Sequence, residues 1–165
     1  MQHALRTGRA SSDQFSRHGV VSKFKLDSEP IFKLRVVVIE DFPLLFKIYQ
    51  KILHGHGFEV ANPHPLNTVD AALFTIAQVR PDVVITDLSL TSNGLEGFEI
   101  LRRLREIDPS LPVALSTSVY RSTNTDPLTE QMKSAGFDAV FHKVDFRGIV
   151  SFLDSSVRES VTNCP

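Results

Sequence analysis

An α/β fold, built as an open parallel sheet of five strands with helices on both faces, is what this sequence predicts. Three observations carry the expectation. Short β-branched runs such as Leu34-Arg35-Val36-Val37-Val38-Ile39 and Asp82-Val83-Val84-Ile85-Thr86-Asp87 are almost uniformly apolar. A strand with one face in water would alternate, so these are strands covered on both faces. Longer segments between such runs repeat apolar residues at helical spacing. Finally, strand and helix signals alternate five times between residues 34 and 157, which specifies right-handed crossovers that place helices on either side of the sheet.

The elements follow in order. After the run ending at Ile39, Asp41 and Pro43 open a helix in which Leu45, Ile48, Ile52 and Leu53 recur, until Gly55 and Gly57 end it. Phe58 to Ala61 forms a second, short strand. Thr68 caps the next helix, with Val69, Leu73 and Ile76 on its apolar side and Pro81 beyond its end. Asp82 to Asp87 is the third strand, and a polar loop with Asn93-Gly94 leads to a helix bearing Ile100, Leu104 and Ile107, stopped by Pro109. Pro112 to Thr117 is the fourth strand. Ser118 to Thr125 reads as a loop, and Asp126-Pro127 starts a short helix with Leu128, Met132 and Ala135 that Gly136 ends. Ala139 to His142 is the fifth strand, and Ile149, Phe152, Leu153 and Val157 give the last helix its apolar face.

Composition limits the function classes. With 165 residues, 42% hydrophobic and 22% charged, the chain fits one globular domain rather than a disordered or fibrous one. Its 18 Lys and Arg nearly balance 19 Asp and Glu, so the whole chain carries no electrostatic footprint for nucleic acid. The single cysteine, Cys164, excludes an intrachain disulfide framework. No apolar run reaches the roughly 18 residues that a membrane span needs, and Met1 to Pro30 lacks a signal-like apolar stretch. A cytoplasmic protein without membrane insertion is therefore expected. Residues 1–33 are rich in serine and charge and lack periodicity; they read as a mobile arm of net charge +3, with Val20, Phe24 and Phe32 available to dock on the body.

In open parallel sheets the ligand site lies at the carboxyl ends of the strands. Here those ends carry Glu40-Asp41, Asp87, Ser116-Thr117 and Lys143. Taken singly, each has an ordinary structural reading as a cap or a strand-end polar residue. Together, three converging carboxylates repel one another unless a cation sits among them, and a small oxygen-ligated ion such as Mg²⁺ suits them. Lys143 adds a positive charge and Thr117 a hydroxyl. The set suits a phosphoryl group, with one carboxylate as nucleophile. Ser116 and Thr117 are neighbours and face opposite sides of the strand. Counting from Pro112 selects Thr117.

On these residues, in this chain order, residues 34 to 157 resemble the receiver domain of two-component response regulators. The resemblance implies a flavodoxin-like (βα)₅ fold with strand order 2-1-3-4-5. It implies Asp87 as phosphoacceptor, Mg²⁺ held by Glu40, Asp41, Asp87 and the backbone carbonyl of Ser89, and Thr117 and Lys143 as the groups that contact the phosphoryl oxygens. The sequence also departs from the family pattern. The loop from Asp87 to Gly97 is longer and lacks a proline, Val144 rather than proline follows Lys143, the segment from Thr117 to Gly136 is extended, and Val140 stands where an aromatic switch residue is usual. The Ser118 to Thr125 connection is then the expected switching element, with Phe141 and Tyr120 as candidate replacement rings.

Other chemistries lack their motifs. His54, His56 and His64 cluster near a turn without a complete ligand set and read as surface residues. No G-x-G-x-x-G, Walker loop or G-x-S-x-G elbow is present, and Asp87-Leu88-Ser89 lacks the second aspartate of a haloacid-dehalogenase phosphatase. The expected function is a stand-alone response regulator, since only eight residues follow Val157 as a tail (158–165). It would take its phosphoryl group from a histidine kinase or histidine phosphotransfer protein, and would signal through a downstream protein target, a homodimer or a phosphorelay rather than by binding nucleic acid. It is not expected to be a turnover enzyme. The alternatives are a receiver-like binding module that works without phosphorylation and, more weakly, a metal-dependent phosphohydrolase.

Overall fold

The computed structural model describes residues 34–91, 94–119 and 127–162. The expectations placed on the arm 1–33, on Asn93, on Tyr120 and the Asp126 cap, and on Cys164 lie outside the described residues. The elements are β1 (Arg35–Ile39), α1 (Pro43–Gly55), β2 (Glu59–Val60), α2 (Val69–Val79), β3 (Val83–Thr86), α3 (Glu96–Ile107), β4 (Val113–Thr117), α4 (Pro127–Ser134), β5 (Ala139–His142) and α5 (Phe146–Thr162). The five strands form one parallel sheet in the order β2-β1-β3-β4-β5, as expected.

Alternation along the buried strands divides the core in two. Val36, Val38, Val83, Ile85 and Ala114 meet Phe46, Tyr49 and Leu53 of α1 and Ile149 and Leu153 of α5. Val37, Ile39, Val84, Val113 and Leu115 meet Ala72 and Ile76 of α2, Ile100, Leu101 and Leu104 of α3, and Met132 of α4. Successive strand residues thus serve opposite layers, which is why the strands read as continuous apolar runs.

β2 is shorter than the Phe58 to Ala61 expected, because a side chain takes over its role. Asn62 is buried, accepts from the Val38 amide at 3.0 Å and donates to the Val38 carbonyl at 2.9 Å, so its amide stands in for a strand peptide. The connection then continues along β1, with Ala61 N–H donating to Val36 O and Leu66 N–H to Glu40 O. α2 starts as expected, with Thr68 Oγ1 accepting from Ala71 N–H at 3.2 Å, and ends on Arg80 in the left-handed region at φ 50°.

Four helical details differ from expectation. The buried stripe of α1 is Phe46, Tyr49 and Leu53; Leu53 is buried as expected, whereas Phe46 and Tyr49 take the place of Leu45 and Ile48, and Ile48 is exposed. α1 is apolar over more than one stripe, and the stripe that carries two rings packs in the layer with β1, β3 and β4. Ile107 continues the spacing of Ile100 and Leu104 but, as the last residue of α3, is 75% exposed. Ala135 lies beyond the end of α4 and is exposed. The last helix continues past Val157 to Thr162.

Candidate functional site at the carboxyl edge of the sheet

Because every strand runs the same way, the residues that follow them gather along one edge. Ladder bonds fix their heights: Asp87 N–H donates to Ile39 O at 2.9 Å and Lys143 N–H to Thr117 O at 3.2 Å. One carboxylate oxygen each from Glu40, Asp41 and Asp87 lies within 4.8 Å of the others. Glu40 and Asp87 are buried, whereas Asp41 is exposed and opens the cluster to solvent. Asp41 does not cap α1, whose N-cap position is Phe42 with no side-chain cap bond.

Lys143 reaches across this cluster from the end of β5. Its Nζ lies 2.7 Å from Asp87 Oδ2 and 3.0 and 3.1 Å from the two oxygens of Glu40. The other oxygen of Asp87, Oδ1, accepts from the Leu88 amide at 2.7 Å, and Glu40 Oε1 also accepts from Phe42 N–H. Burial pushes the Glu40 and Asp87 carboxyls above their usual range, and the bonds to Lys143 only partly offset it. Burial likewise works against the charge of Lys143, but bonds to Asp87 and Glu40 outweigh it and hold the ammonium above its usual value. With all three acids ionised, one ammonium leaves two negative charges uncompensated. Hard oxygen donors with no sulfur or imidazole among them, and an unbalanced negative charge, fit a hard divalent cation.

The neighbouring hydroxyls separate as the strand period requires. Ser116 Oγ pairs with the Tyr49 hydroxyl at 2.6 Å on the α1 side, whereas Thr117 belongs to the opposite side, its Oγ1 accepting from Val119 N–H at a long 3.5 Å. Both are buried. His54, His56 and His64 are exposed and stand outside the acidic group.

The sequence of residues 36–152 matches the family model described as the response regulator receiver domain. The chain belongs to that family. As a receiver domain it is similar to the DNA-binding response regulator MtrA of Mycolicibacterium smegmatis, 27% identical over 126 residues that cover 76% of this chain and 51% of MtrA. It is also similar to the methanol utilization control regulatory protein MoxX of Paracoccus denitrificans, 29% identical over 99 residues that cover 59% of this chain and 43% of MoxX. The chain thus spans about half the length of these curated relatives, or less. Among solved structures, a CheY-like response regulator receiver domain protein from Methanospirillum hungatei JF-1 shares the fold with a TM-score of 0.63 at 21% identity, covering 79% of this chain and 98% of that one.

The departures of this receiver domain from the family pattern have structural counterparts. Val140 packs, half-buried, against the α2, α3 and α4 layer, while its neighbour Phe141 faces the other layer and meets Phe152 with ring centroids 6.0 Å apart. Phe141 therefore cannot take the place of a ring at Val140. The peptide between Lys143 and Val144 is trans, and Val144 is exposed. The long loop after Asp87 is braced by Glu96 at the start of α3, which accepts from the Thr91 hydroxyl and from Leu90 N–H. The Thr91 hydroxyl also holds the Glu96 carboxyl below its usual range.

Sequence reading missed three contributors. Tyr49 was hidden in an apolar helix stripe, its one signal being a phenol where aliphatic residues would suffice. Glu96 reads as an ordinary first-turn acid. Gly97 lies so close to the loop after β3 that a Cβ there would sit 2.5 Å from Asp87 O, and the glycine near a helix start was its signal.

Proposed function

We propose that this receiver domain accepts a phosphoryl group on Asp87 and that protein partners read its state. The observation carrying this reading is the convergence of three carboxylates within 4.8 Å, with the Lys143 ammonium 2.7 Å from Asp87. The donor is a phosphohistidine of a histidine kinase or a histidine phosphotransfer protein. An Asp87 oxygen attacks phosphorus, and the new O–P bond forms as the P–N bond breaks. The imidazole nitrogen keeps the bonding pair and takes up a proton from solvent, leaving an aspartyl phosphate. Glu40, Asp41, Asp87 and the backbone carbonyl of Ser89 would hold Mg²⁺, which when bound neutralises charge on the transferring phosphoryl oxygens. Lys143 neutralises a further oxygen. Thr117 donates its hydroxyl to another, a role the Tyr49 bond denies to Ser116.

Receiver domains are not turnover enzymes, and the cycle here ends in hydrolysis of the acyl phosphate or its passage to another histidine. No described helix is long and apolar enough to cross a membrane. A cytoplasmic site of action, a receiver unit over residues 34–157 and output through protein contacts belong to the same proposal. Incubation with a small acyl-phosphate donor and Mg²⁺, followed by intact mass, tests it: one phosphate adduct is expected, absent in Asp87→Asn. An adduct formed by Asp87→Asn at the wild-type rate overturns the assignment. The aliphatic Val140 and the exposed Val144 favour a second reading, a receiver-like module that binds partners without phosphorylation. That module would show no adduct at all.

A further inference from the structure

α1 buries a tyrosine where packing alone would accept a leucine or phenylalanine. Tyr49 is 1% exposed, its ring held edge-on by Phe146 of α5 at a centroid distance of 5.4 Å and an interplanar angle of 73°. Its hydroxyl lies 2.6 Å from Ser116 Oγ and donates to the backbone carbonyl of Lys143 at 3.5 Å. A phenol has one proton to give and lone pairs to receive. With Ser116 donating to the phenol oxygen, the Tyr49 proton is directed to Lys143. Burial keeps the phenol protonated, with the Glu40 and Asp87 charges acting in the same sense.

The two atoms so joined belong to the strand ends that carry Thr117 and Lys143. Ser116 immediately precedes Thr117, and Thr117 O in turn accepts from Lys143 N–H at 3.2 Å. The chain then leaves β5 through a turn closed by Asp145 N–H donating to His142 O at 2.8 Å, with the exposed Val144 directly after Lys143. A rigid proline is missing at that position, so the direction of the Lys143 main chain needs another restraint. We infer that Tyr49 is a positioning residue for the phosphoryl site: its hydroxyl ties the ends of β4 and β5 together from the α1 face of the sheet and so aims Lys143 at Asp87 and Glu40. The role touches no reacting atom, and it rests on the proposed phosphoryl chemistry only for its effect on rate.

Tyr49→Phe removes the hydroxyl while keeping the ring against Phe146. In protein labelled with ¹⁵N-lysine and free of Mg²⁺, the Lys143 ammonium signal, assigned with Lys143→Arg, should exchange with water slowly because Asp87 and Glu40 hold it. Tyr49→Phe, which removes the bonds to both Ser116 and Lys143, should speed that exchange about tenfold, the scale on which a lost hydrogen bond is felt. Adduct formation at Asp87 from a small acyl phosphate should slow by a similar factor. The Mg²⁺ dissociation constant should stay within about twofold, because the carboxylates are untouched. Phe46→Leu, on the same buried stripe of α1, controls for stability: it should lower the melting temperature but leave the ammonium exchange unchanged. Unaltered exchange in Tyr49→Phe, or equally fast exchange in Phe46→Leu, overturns the inference. A wild type that never acquires phosphate while its ammonium exchange still depends on Tyr49 overturns the phosphoryl reading and leaves the positioning role standing.

Discussion

Gly97→Ala sets two forces against each other at the main chain of Asp87 and Leu88. Gly97 is the second residue of α3, and replacing glycine by alanine in a helix is ordinarily stabilising by up to about 1 kcal/mol. Here the new Cβ would lie 2.5 Å from Asp87 O and 2.9 Å from Leu88 Cα. Carbon–oxygen contacts settle at roughly 3.3–3.6 Å, so the helix start and the loop must part by about 1 Å. Both obstacles are backbone, which no rotamer change relieves. Neither can retreat without lengthening the 3.0 Å bond from Gly97 N–H to Leu88 O. Overpacking of this kind costs about 1–3 kcal/mol, and backbone obstacles place it at the upper end. The net is a destabilisation of about 2 kcal/mol, or roughly 6–10 °C in melting temperature for a domain of this size. Urea denaturation at constant m should show a midpoint lower by about 1 M. Gly55→Ala is the control, since nothing lies within 4 Å of its Cβ and it ends a helix; it should be neutral or slightly stabilising. A Gly97→Ala protein as stable as the wild type would refute the close-approach argument.

Three further outcomes are expected. Asn62→Ala should cost about 2–3 kcal/mol in urea denaturation, because it orphans both the amide and the carbonyl of buried Val38; a loss under about 0.5 kcal/mol would contradict the bonding. Arg80→Gly should raise the melting temperature, the gain being up to about 1 kcal/mol, since Arg80 holds φ 50° at a helix end where glycine has no Cβ penalty. A drop would show that the arginine side chain contributes more than its backbone costs. The third concerns pH. Asp87 and Glu40 have folded pKa values raised above 3.8 and 4.5, so their contribution to stability is complete below those values and is lost as pH rises through the folded ones. Without Mg²⁺, the stability of the wild type relative to Asp87→Asn should therefore fall as pH rises from the ordinary carboxylate range towards neutrality. Millimolar Mg²⁺, which binds the ionised form, should oppose that fall. A pH-independent difference in the metal-free protein would contradict the burial of Asp87.

The sheet was legible in the sequence because a parallel strand buried on both faces leaves nothing but apolar β-branched residues to read. Its carboxyl edge was legible for a related reason: once strands are located, the residues that end or follow them are located too, so Glu40, Asp41, Asp87 and Lys143 could be brought together by chain order alone. The phase of α1 was not legible. Leu44, Leu45, Ile48 and Ile52 supply a second apolar stripe, and only the fit of Phe46 and Tyr49 against the sheet selects between the two. Ile107 misled because helical spacing does not reveal where the core beneath a helix ends. The pairing of Tyr49 with Ser116 spans 67 positions in the chain, and local pattern carries no trace of such a bond. Asn62 was invisible for a different reason, since an asparagine after a short strand reads as a turn residue until its amide is seen to imitate a peptide.

That imitation bears on how the molecule behaves among its copies. The outer side of β1 presents four carbonyls in turn, those of Leu34, Val36, Val38 and Glu40, and all four are taken, by Glu59 N–H, Ala61 N–H, the Asn62 side chain and Leu66 N–H. β2, which covers the first of these positions, is two residues long. A foreign extended segment approaching this side of β1 finds no row of unsatisfied carbonyls to template on. The usual liability of an apolar, β-branched sheet, intermolecular strand recruitment leading to aggregation, is thus blunted on this side. One asparagine amide and an irregular connection provide that protection, at the same end of β1 that delivers Glu40 to the acidic site.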